Sequence, residues 1–200
     1  GIILGSWEGL AEPENAGKLA EAVEFAGGAD RPVAGYMLQD EPLPEDFGDL
    51  GRAHGHIYAH DEGGALPMVD LFPSYVHRPE RRLGMSYRAY VRRYVEEVRP
   101  CMLLTCHYPL LKGQDGNSRM REDYYANIEL LWEHARKREI GLMGFTMVTP
   151  HGDYALPSAN ELRWQVYSYL AYGAKGIWYY NYRIHPGEVY GEGMVAHETG

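Results

Sequence analysis

Six apolar runs recur along the chain at nearly regular intervals, and this repeat constrains the fold more than any other feature. The runs begin at residues 2, 33, 66, 101, 141 and 176, so successive starts are 31, 33, 35, 40 and 35 residues apart. A strand followed by a crossover helix needs about 30 residues or more. Because the runs are almost continuously apolar, they predict a parallel sheet that helices cover on both faces. The predicted strands span 2–6, 33–39, 66–71, 101–106, 142–148 and 177–182.

The segments between the runs show helical periodicity. Apolar residues at i, i+3, i+4, i+7, i+8 and i+11 from Tyr87 to Val98 predict one helix, which Ser86 would cap. Ser158 and Glu161 form a capping box ahead of another helix. Apolar faces predict three further helices, around 19–26, 47–58 and 128–135, of which the second is weakened by Gly48, Gly51 and Gly55.

The connections between these elements are unequal in length. Those from strand to helix span 72–85, 107–121 and 149–157, whereas the return connections at 99–100, 139–140 and 174–175 are two residues long. The long loops are therefore expected at the C-terminal ends of the strands. Both α/β barrels and open α/β sheets place their functional sites at that end.

Two observations favour a barrel over an open nucleotide-binding sheet. The first strand is followed by 7–13 (WEGLAEP), which has no glycine-rich phosphate cradle. A complete eight-unit barrel takes roughly 250 residues. The 200 residues here would then form a single domain, 1–200, that is a TIM (β/α)8-type barrel with six of its eight strands and without the N-terminal two.

Charge and composition limit the classes of molecule that the chain could bind. A net charge of −9 argues against nucleic acid and against an anionic membrane surface. No apolar stretch approaches the roughly 20 residues that cross a bilayer, which predicts a soluble chain. Cys101 and Cys106 are too few for a disulfide framework and read as buried free thiols. The chain starts inside an apolar segment, and a signal peptide could have been lost with the N-terminus, so the localisation stays open. The oligomeric state is open as well.

Two adjacent carboxylates, Asp40 and Glu41, end the second run and are followed by Pro42. Pro42 cannot donate a ladder hydrogen bond and disfavours helix at Glu41, so the acids lie at the C-terminal end of a strand. If the backbone stays extended, only one of them faces a given side of the sheet. The alternative is that both acids end the strand in solvent or start the next helix. The unequal connections favour a place on the functional face.

Five segments together resemble the catalytic barrel of glycoside hydrolases related to the clan A, β-galactosidase-like enzymes. They follow one another in the same order and spread over nearly the whole chain: 35–42 (GYMLQDEP), 69–75 (VDLFPSY), 106–109 (CHYP), 161–167 (ELRWQVY) and 171–180 (AYGAKGIWYY). The resemblance implies hydrolysis of an O-glycosidic bond in a carbohydrate, without a cofactor. It also makes the 33–39 run the fourth strand of the barrel, with Glu41 as the general acid/base.

The chain departs from the family pattern in two places. Asp40 stands where Asn usually contacts a sugar hydroxyl, and an ionised Asp could accept but not donate that hydrogen bond. The seventh strand, where the nucleophilic Glu is expected, reads FTMVTPHGD over 145–153 and contains no Glu. Asp70 or Asp153 could supply the second carboxylate. The alternatives are a different mechanism or a barrel that binds sugars without cleaving them.

Further residues near the strand ends could bind substrate. His107 and Tyr108 could hydrogen-bond sugar hydroxyls or steady a carboxylate, with packing under the long loop as the alternative. Trp178 and Tyr180 lie on one side of the last strand and could stack on a sugar ring, although strand aromatics are more often core. The resemblance favours Trp178 as the floor of a sugar site. Trp7, after the first strand, is a weaker candidate for the same role.

A metal site is the rival chemistry. Acids and histidines near the strand ends could hold a divalent ion, but the His-x-His strand signature of barrel metallohydrolases is absent. The sequence also has no Gly-x-Ser-x-Gly elbow, so it does not support serine hydrolysis. The sequence therefore predicts no metal ligands. The residues considered for such a set were Asp40, Glu41, Asp70, His107 and His151.

Overall fold

The computed structural model describes residues 2–5, 11–28, 33–76, 79–114, 117–181 and 194. Eight strands and six α-helices lie within these ranges, and two short 3-10 helices at Pro13–Asn15 and Pro44–Asp46 precede the first two α-helices. In chain order the elements are β1 (Ile2–Gly5), α1 (Ala16–Gly28), β2 (Val33–Asp40), α2 (Phe47–His60), β3 (Leu66–Asp70), α3 (Pro79–Arg82), α4 (Tyr87–Val98), β4 (Met102–Leu103), β5 (Leu110–Lys112), β6 (Ser118–Met120), α5 (Tyr124–Arg138), β7 (Gly141–Met147), α6 (Ala159–Ala171) and β8 (Gly176–Tyr180).

The six predicted strands are present and pair in parallel. They form two three-stranded sheets in the orders β1-β2-β3 and β4-β7-β8, and a parallel bridge between Leu71 and Thr105 connects the two. Strands that follow one another in sequence are therefore neighbours in space. A doubly wound sheet would reverse its strand order at a switch point, and the described strands show no reversal. In the described part of the chain, β1 and β8 each pair on one side only, so a closed barrel is not formed.

Strands β2, β3 and β7 are largely buried on both faces, as their apolar runs predicted, whereas β8 is partly exposed. On β2, Tyr36 and Leu38 belong to the large core that packs under the helices, whereas Met37 belongs to a second apolar cluster on the opposite face. That second cluster also contains Leu104 and Phe145 from the neighbouring strands. The alternation of side chains along each strand produces these two layers.

The predicted helix signals are confirmed. The Ser86 hydroxyl accepts the N–H of Ala89, and Ser158 and Glu161 form the expected capping box. The glycines of α2 do not prevent the helix. A Cβ at Gly51 would lie 3.0 Å from the carbonyl oxygen of Glu97, so this glycine lets α2 approach α4 closely.

Two of the long connections contain structure that the sequence did not reveal. Segment 107–121 holds the antiparallel hairpin of β5 and β6, and segment 72–85 holds the short helix α3. The predicted strand 101–106 is also shorter than expected, with ladder pairing at Met102 and Leu103 and a single bridge at Thr105. Among the described helices, none has the length and apolar character needed to cross a membrane.

Candidate functional site

The backbone at the end of β2 is irregular, and this irregularity sets the direction of two acids. The register with β3 shifts between Met37 and Gln39, after which Asp40 pairs with Asp70. Glu41 then has φ 45°, and its N–H donates to the Asp70 carbonyl at 2.7 Å. Such a conformation costs a non-glycine residue on the order of 1–3 kcal/mol. The prediction that only one acid faces a given side was conditional on extended backbone, and Glu41 does not meet that condition.

Four side chains meet at the C-terminal ends of β2, β3 and β4, and we call them the acid–thiol cluster: Asp40, Glu41, Asp70 and Cys106. A carboxylate oxygen of Asp40, one of Asp70 and the Cys106 sulfur all lie within 4.8 Å of one another. The Cys106 thiol also donates to Oε1 of Glu41 at 3.6 Å. The structure thus brings together three acids that the sequence singled out, and adds a thiol that it treated only as buried.

The surroundings of the cluster favour protonated acids. Asp70 is 2% exposed, and burial followed by the neighbouring Asp40 raises its pKa well above the usual range. Burial and then Glu41 raise the pKa of Asp40 to about 6. Burial also raises the pKa of Glu41, against the thiol hydrogen bond and the charge of Arg82. These directions follow from moving like charges out of water together.

One atom of the cluster has no partner. Oδ1 of Asp70 is buried and accepts no hydrogen bond from any residue that the structure describes. Buried polar atoms in native proteins are nearly always paired, and an exception calls for a physical explanation.

An aromatic group lies next to the cluster and contains three predicted binding residues. Trp178 stacks on Phe145 with ring centroids 6.1 Å apart and planes 8° apart. Tyr108 lies 5.7 Å from the rings of both Phe145 and Tyr180. Cys106 packs in the same apolar cluster. Tyr108, Trp178 and Tyr180 are all partly exposed, which is compatible with ring stacking on a ligand and with packing.

Tyr75 connects three loops at the rim of the site, and sequence reasoning did not single it out. Its hydroxyl donates to the Cys106 carbonyl at 3.3 Å and accepts from the Tyr108 N–H and the Tyr154 hydroxyl at 3.3 and 3.1 Å. The Arg121 guanidinium lies 3.7 Å from its ring centroid. Tyr75 ends one of the family-like segments, but nothing in the sequence indicates these contacts.

His107 lies beside the carboxylate of Asp123. Its side chain is fully buried between the rings of Tyr75 and Tyr124, and Nε2 lies 3.3 Å from Oδ1 of Asp123. The Ser74 hydroxyl donates to the other Asp123 oxygen at 2.6 Å. We call Ser74, His107 and Asp123 the Asp123 network. The neighbouring His107 side chain is the main cause that lowers the pKa of Asp123 to about 2.

The remaining predicted residues lie apart from the cluster or outside the described residues. Asp153 is exposed on the loop after β7, where its carbonyl accepts the Lys112 N–H at 2.9 Å. His151 packs against the rings of Tyr108 and Tyr180. Trp7 is outside the described residues. Of the set considered for a metal ion, Asp40 and Asp70 come together, whereas His107 faces Asp123.

Comparison with known proteins identifies a shared fold. No protein-family model matches the sequence, and no curated protein matches it. A solved structure of a putative alpha-L-fucosidase from Bacteroides thetaiotaomicron superposes with a TM-score of 0.56 at 11% identity, over 88% of this chain and 56% of that one. The Bacillus cereus spore cortex-lytic enzyme SleL gives a TM-score of 0.49 at 10% identity, over 89% of this chain and 55% of its own. Only the first likeness indicates a common fold, and the chain spans about half of that structure.

Proposed function

We propose that residues 1–200 form part of a (β/α)8-type barrel of a glycoside hydrolase that cleaves an O-glycosidic bond in a carbohydrate. The sequential order of six parallel strands supports the barrel. The fold shared with the putative alpha-L-fucosidase, of which the chain spans 56%, is consistent with it. The five family-like segments supply the chemistry, because they align Glu41 with the family's acid/base position.

Glu41 is the proton donor to the leaving oxygen in this proposal. The observation that carries it is the position of Glu41 at the C-terminal end of β2, where a positive-φ backbone directs it beside Asp40, Asp70 and the Cys106 thiol. A general acid has to meet the substrate protonated, and partial burial among other acids favours that form. Glu41 remains partly exposed, which leaves it accessible to a ligand.

Two residues could supply the second carboxylate: one lies close to Glu41, and the other is accessible to solvent. Retaining hydrolysis needs carboxyl groups about 5 Å apart, and inverting hydrolysis roughly 6.5 to 9.5 Å with a water between them. Asp70 lies in the same cluster as Glu41, but it is 2% exposed. Asp153 is exposed, but it lies on the loop after β7. Comparing Asp70→Asn with Asp153→Asn in the assay below decides between them.

Substrate contacts follow from the same arrangement. Asp40 would accept a hydrogen bond from a sugar hydroxyl, and Tyr108, Trp178 and Tyr180 would present aromatic rings to an apolar sugar face. Because His107 is fully buried, it supports the loop through Asp123 rather than touching the sugar.

The test is hydrolysis of a panel of aryl glycosides by the full-length protein. Glu41→Gln should lower kcat/KM by about 10²- to 10⁴-fold, the usual contribution of a general acid. Glu45→Gln, on an exposed side chain four residues later, is the matched control and should retain full activity. Equal activity of the Glu41→Gln variant and the wild type would remove Glu41 from its assigned role.

The second candidate function is a barrel that binds carbohydrate without cleaving it. The end of β7 favours it, because no Glu stands there and Thr149 instead accepts the backbone N–H of Asn181 at 3.1 Å. Under this alternative the full-length protein would bind oligosaccharides by calorimetry while leaving every aryl glycoside intact. Measurable hydrolysis that disappears in Glu41→Gln would exclude it.

A further inference from the structure

The acid–thiol cluster has the composition of a metal site, and this property is independent of the proposed hydrolase activity. Asp40, Asp70 and Cys106 come from the ends of three adjacent strands, β2, β3 and β4, and each offers one ligand atom. The three atoms lie within 4.8 Å of one another. We propose that Asp40, Asp70 and Cys106 bind one Zn²⁺ ion.

The unpartnered oxygen of Asp70 is the second observation behind this proposal. Oδ1 is buried, and no described residue donates a hydrogen bond to it, although the side chain is 2% exposed. Cys106 donates hydrogen bonds to the Asp70 carboxyl, but they leave Oδ1 without a donor. The neighbouring Asp40 and Glu41, when ionised, can only accept hydrogen bonds. A bound cation would satisfy Oδ1 and offset the mutual repulsion of the acids in a single step.

The ligand types select zinc over other divalent ions. Mg²⁺ and Ca²⁺ take oxygen ligands almost exclusively, so a thiolate in the set disfavours both. Zn²⁺ accepts thiolate sulfur together with carboxylate oxygen and has a preference for four-coordinate sites. Binding would displace the proton of the Cys106 thiol, since the thiolate is the form that ligates metals.

The geometry requires only a small contraction. With metal–ligand distances of about 2.0 to 2.3 Å, tetrahedral ligands lie roughly 3.5 Å apart. The present spread of up to 4.8 Å exceeds this by about 1 Å. Asp40 is partly exposed, so its side chain has room to move and leaves an entry path for the ion. The fourth position would be taken by water, which leaves Glu41 available as the proton donor.

The proposal has two consequences for the proposed function. A cation held by Asp40 would take the place of the sugar hydroxyl that this residue would otherwise bind. A cation held by Asp70 would prevent this residue from acting as the second catalytic carboxylate. The choice would then fall on Asp153. Failure to find zinc would leave the role of Glu41 untouched, and failure of the glycosidase assay would leave the metal site untouched.

The experiment uses the full-length protein, stripped with EDTA and titrated with Zn²⁺ and separately with Co²⁺. We expect one Zn²⁺ per chain by calorimetry and, with Co²⁺, a sulfur-to-cobalt charge-transfer band. Cys106→Ser should abolish the band and weaken Zn²⁺ binding at least tenfold. Cys101→Ser is the matched control, because Cys101 is the other free cysteine and lies outside the cluster; it should retain both properties.

Asp40→Asn provides a second variant in case Cys106→Ser does not fold, since Asp40 is partly exposed. It should weaken Zn²⁺ binding at least tenfold while leaving the charge-transfer band of any residual cobalt complex in place. The proposal is overturned if the wild type binds no stoichiometric Zn²⁺, if the cobalt complex lacks the band, or if Cys101→Ser loses as much affinity as Cys106→Ser. Tighter binding of Mg²⁺ or Ca²⁺ than of Zn²⁺ would also overturn it.

Discussion

Two carboxyl groups near the site, those of Asp123 and Asp70, have pKa values that are shifted in opposite directions. Both oxygens of Asp123 have a neighbouring donor, Nε2 of His107 and the Ser74 hydroxyl, and its pKa is lowered to about 2. Asp70 is surrounded by acids, its Oδ1 has no partner among the described residues, and its pKa is raised well above normal. The comparison shows two environments with opposite effects: full burial beside Asp40 raises the pKa of Asp70, whereas partial exposure and two nearby donors lower the pKa of Asp123.

The largest expected effect comes from replacing Asp70, and its sign is opposite to the one expected for Asp123. In EDTA at pH 7, Asp70→Asn should raise the free energy of unfolding by about 1–3 kcal/mol, because the wild type has to protonate this carboxyl, or bury its charge beside Asp40, when it folds. A raised folded pKa means that this acid destabilises the fold above its unfolded pKa. The gain should therefore shrink as the pH falls from 7 towards the unfolded value of about 4, and it should be largely lost at lower pH.

Urea denaturation at pH 7 and pH 3.5 measures this change. Asp153→Asn, on an exposed side chain, is the control and should shift the free energy of unfolding by less than about 0.5 kcal/mol. A loss of stability in Asp70→Asn at pH 7 would show that the Asp70 carboxylate is paired after all.

The second effect has the opposite sign. Asp123→Asn should lower the free energy of unfolding by about 1 kcal/mol at pH 7, a modest value because the side chain is 39% exposed and solvent screens its charge. A lowered folded pKa stabilises the fold above the unfolded value of roughly 3.9. The wild type should lose this advantage as the pH falls from about 4 towards 2, which denaturation over that range would follow. An equal deficit of the variant at pH 2 and pH 7 would contradict the electrostatic explanation.

The smallest effect tests one donor of the Asp123 network. Ser74→Ala removes the hydroxyl that donates at 2.6 Å and should cost about 0.5–1 kcal/mol. The pKa of Asp123 should rise from about 2 but stay below normal, because His107 remains in place. An NMR titration of the Asp123 carboxyl carbon measures this shift. An unchanged pKa would mean that His107 alone sets the charge of Asp123.

Local patterns allowed much of the fold to be predicted. The periodicity from Tyr87 to Val98, the Ser86 cap and the capping box at Ser158 depend on residues a few positions apart, and all are confirmed. The parallel strands followed from runs whose spacing matches a strand and its crossover helix. The hairpin of β5 and β6 was missed because its strands are three residues long and carry little apolar alternation.

The candidate site was predicted only in part, for reasons of long-range geometry. The sequence placed Asp40, Glu41 and Asp70 at strand ends, which is where they lie. The positive φ of Glu41 follows a register shift against β3, and pairing across more than 25 residues does not appear in a local pattern. Cys106 joins the acids because β3 and β4 are neighbours. Asp123 was missed because an acid just before a helix usually reads as a cap.

The Tyr75 hydroxyl has a mechanical consequence for the rim of the site. It touches the backbone at Cys106 and Tyr108 and the side chain of Tyr154, so the loops after β3, β4 and β7 share one anchoring point. A displacement of any one of these loops has to stretch or break a contact with the other two. The three loops are therefore mechanically coupled through a single phenol, and a ligand that displaces one loop would strain the contacts of the other two.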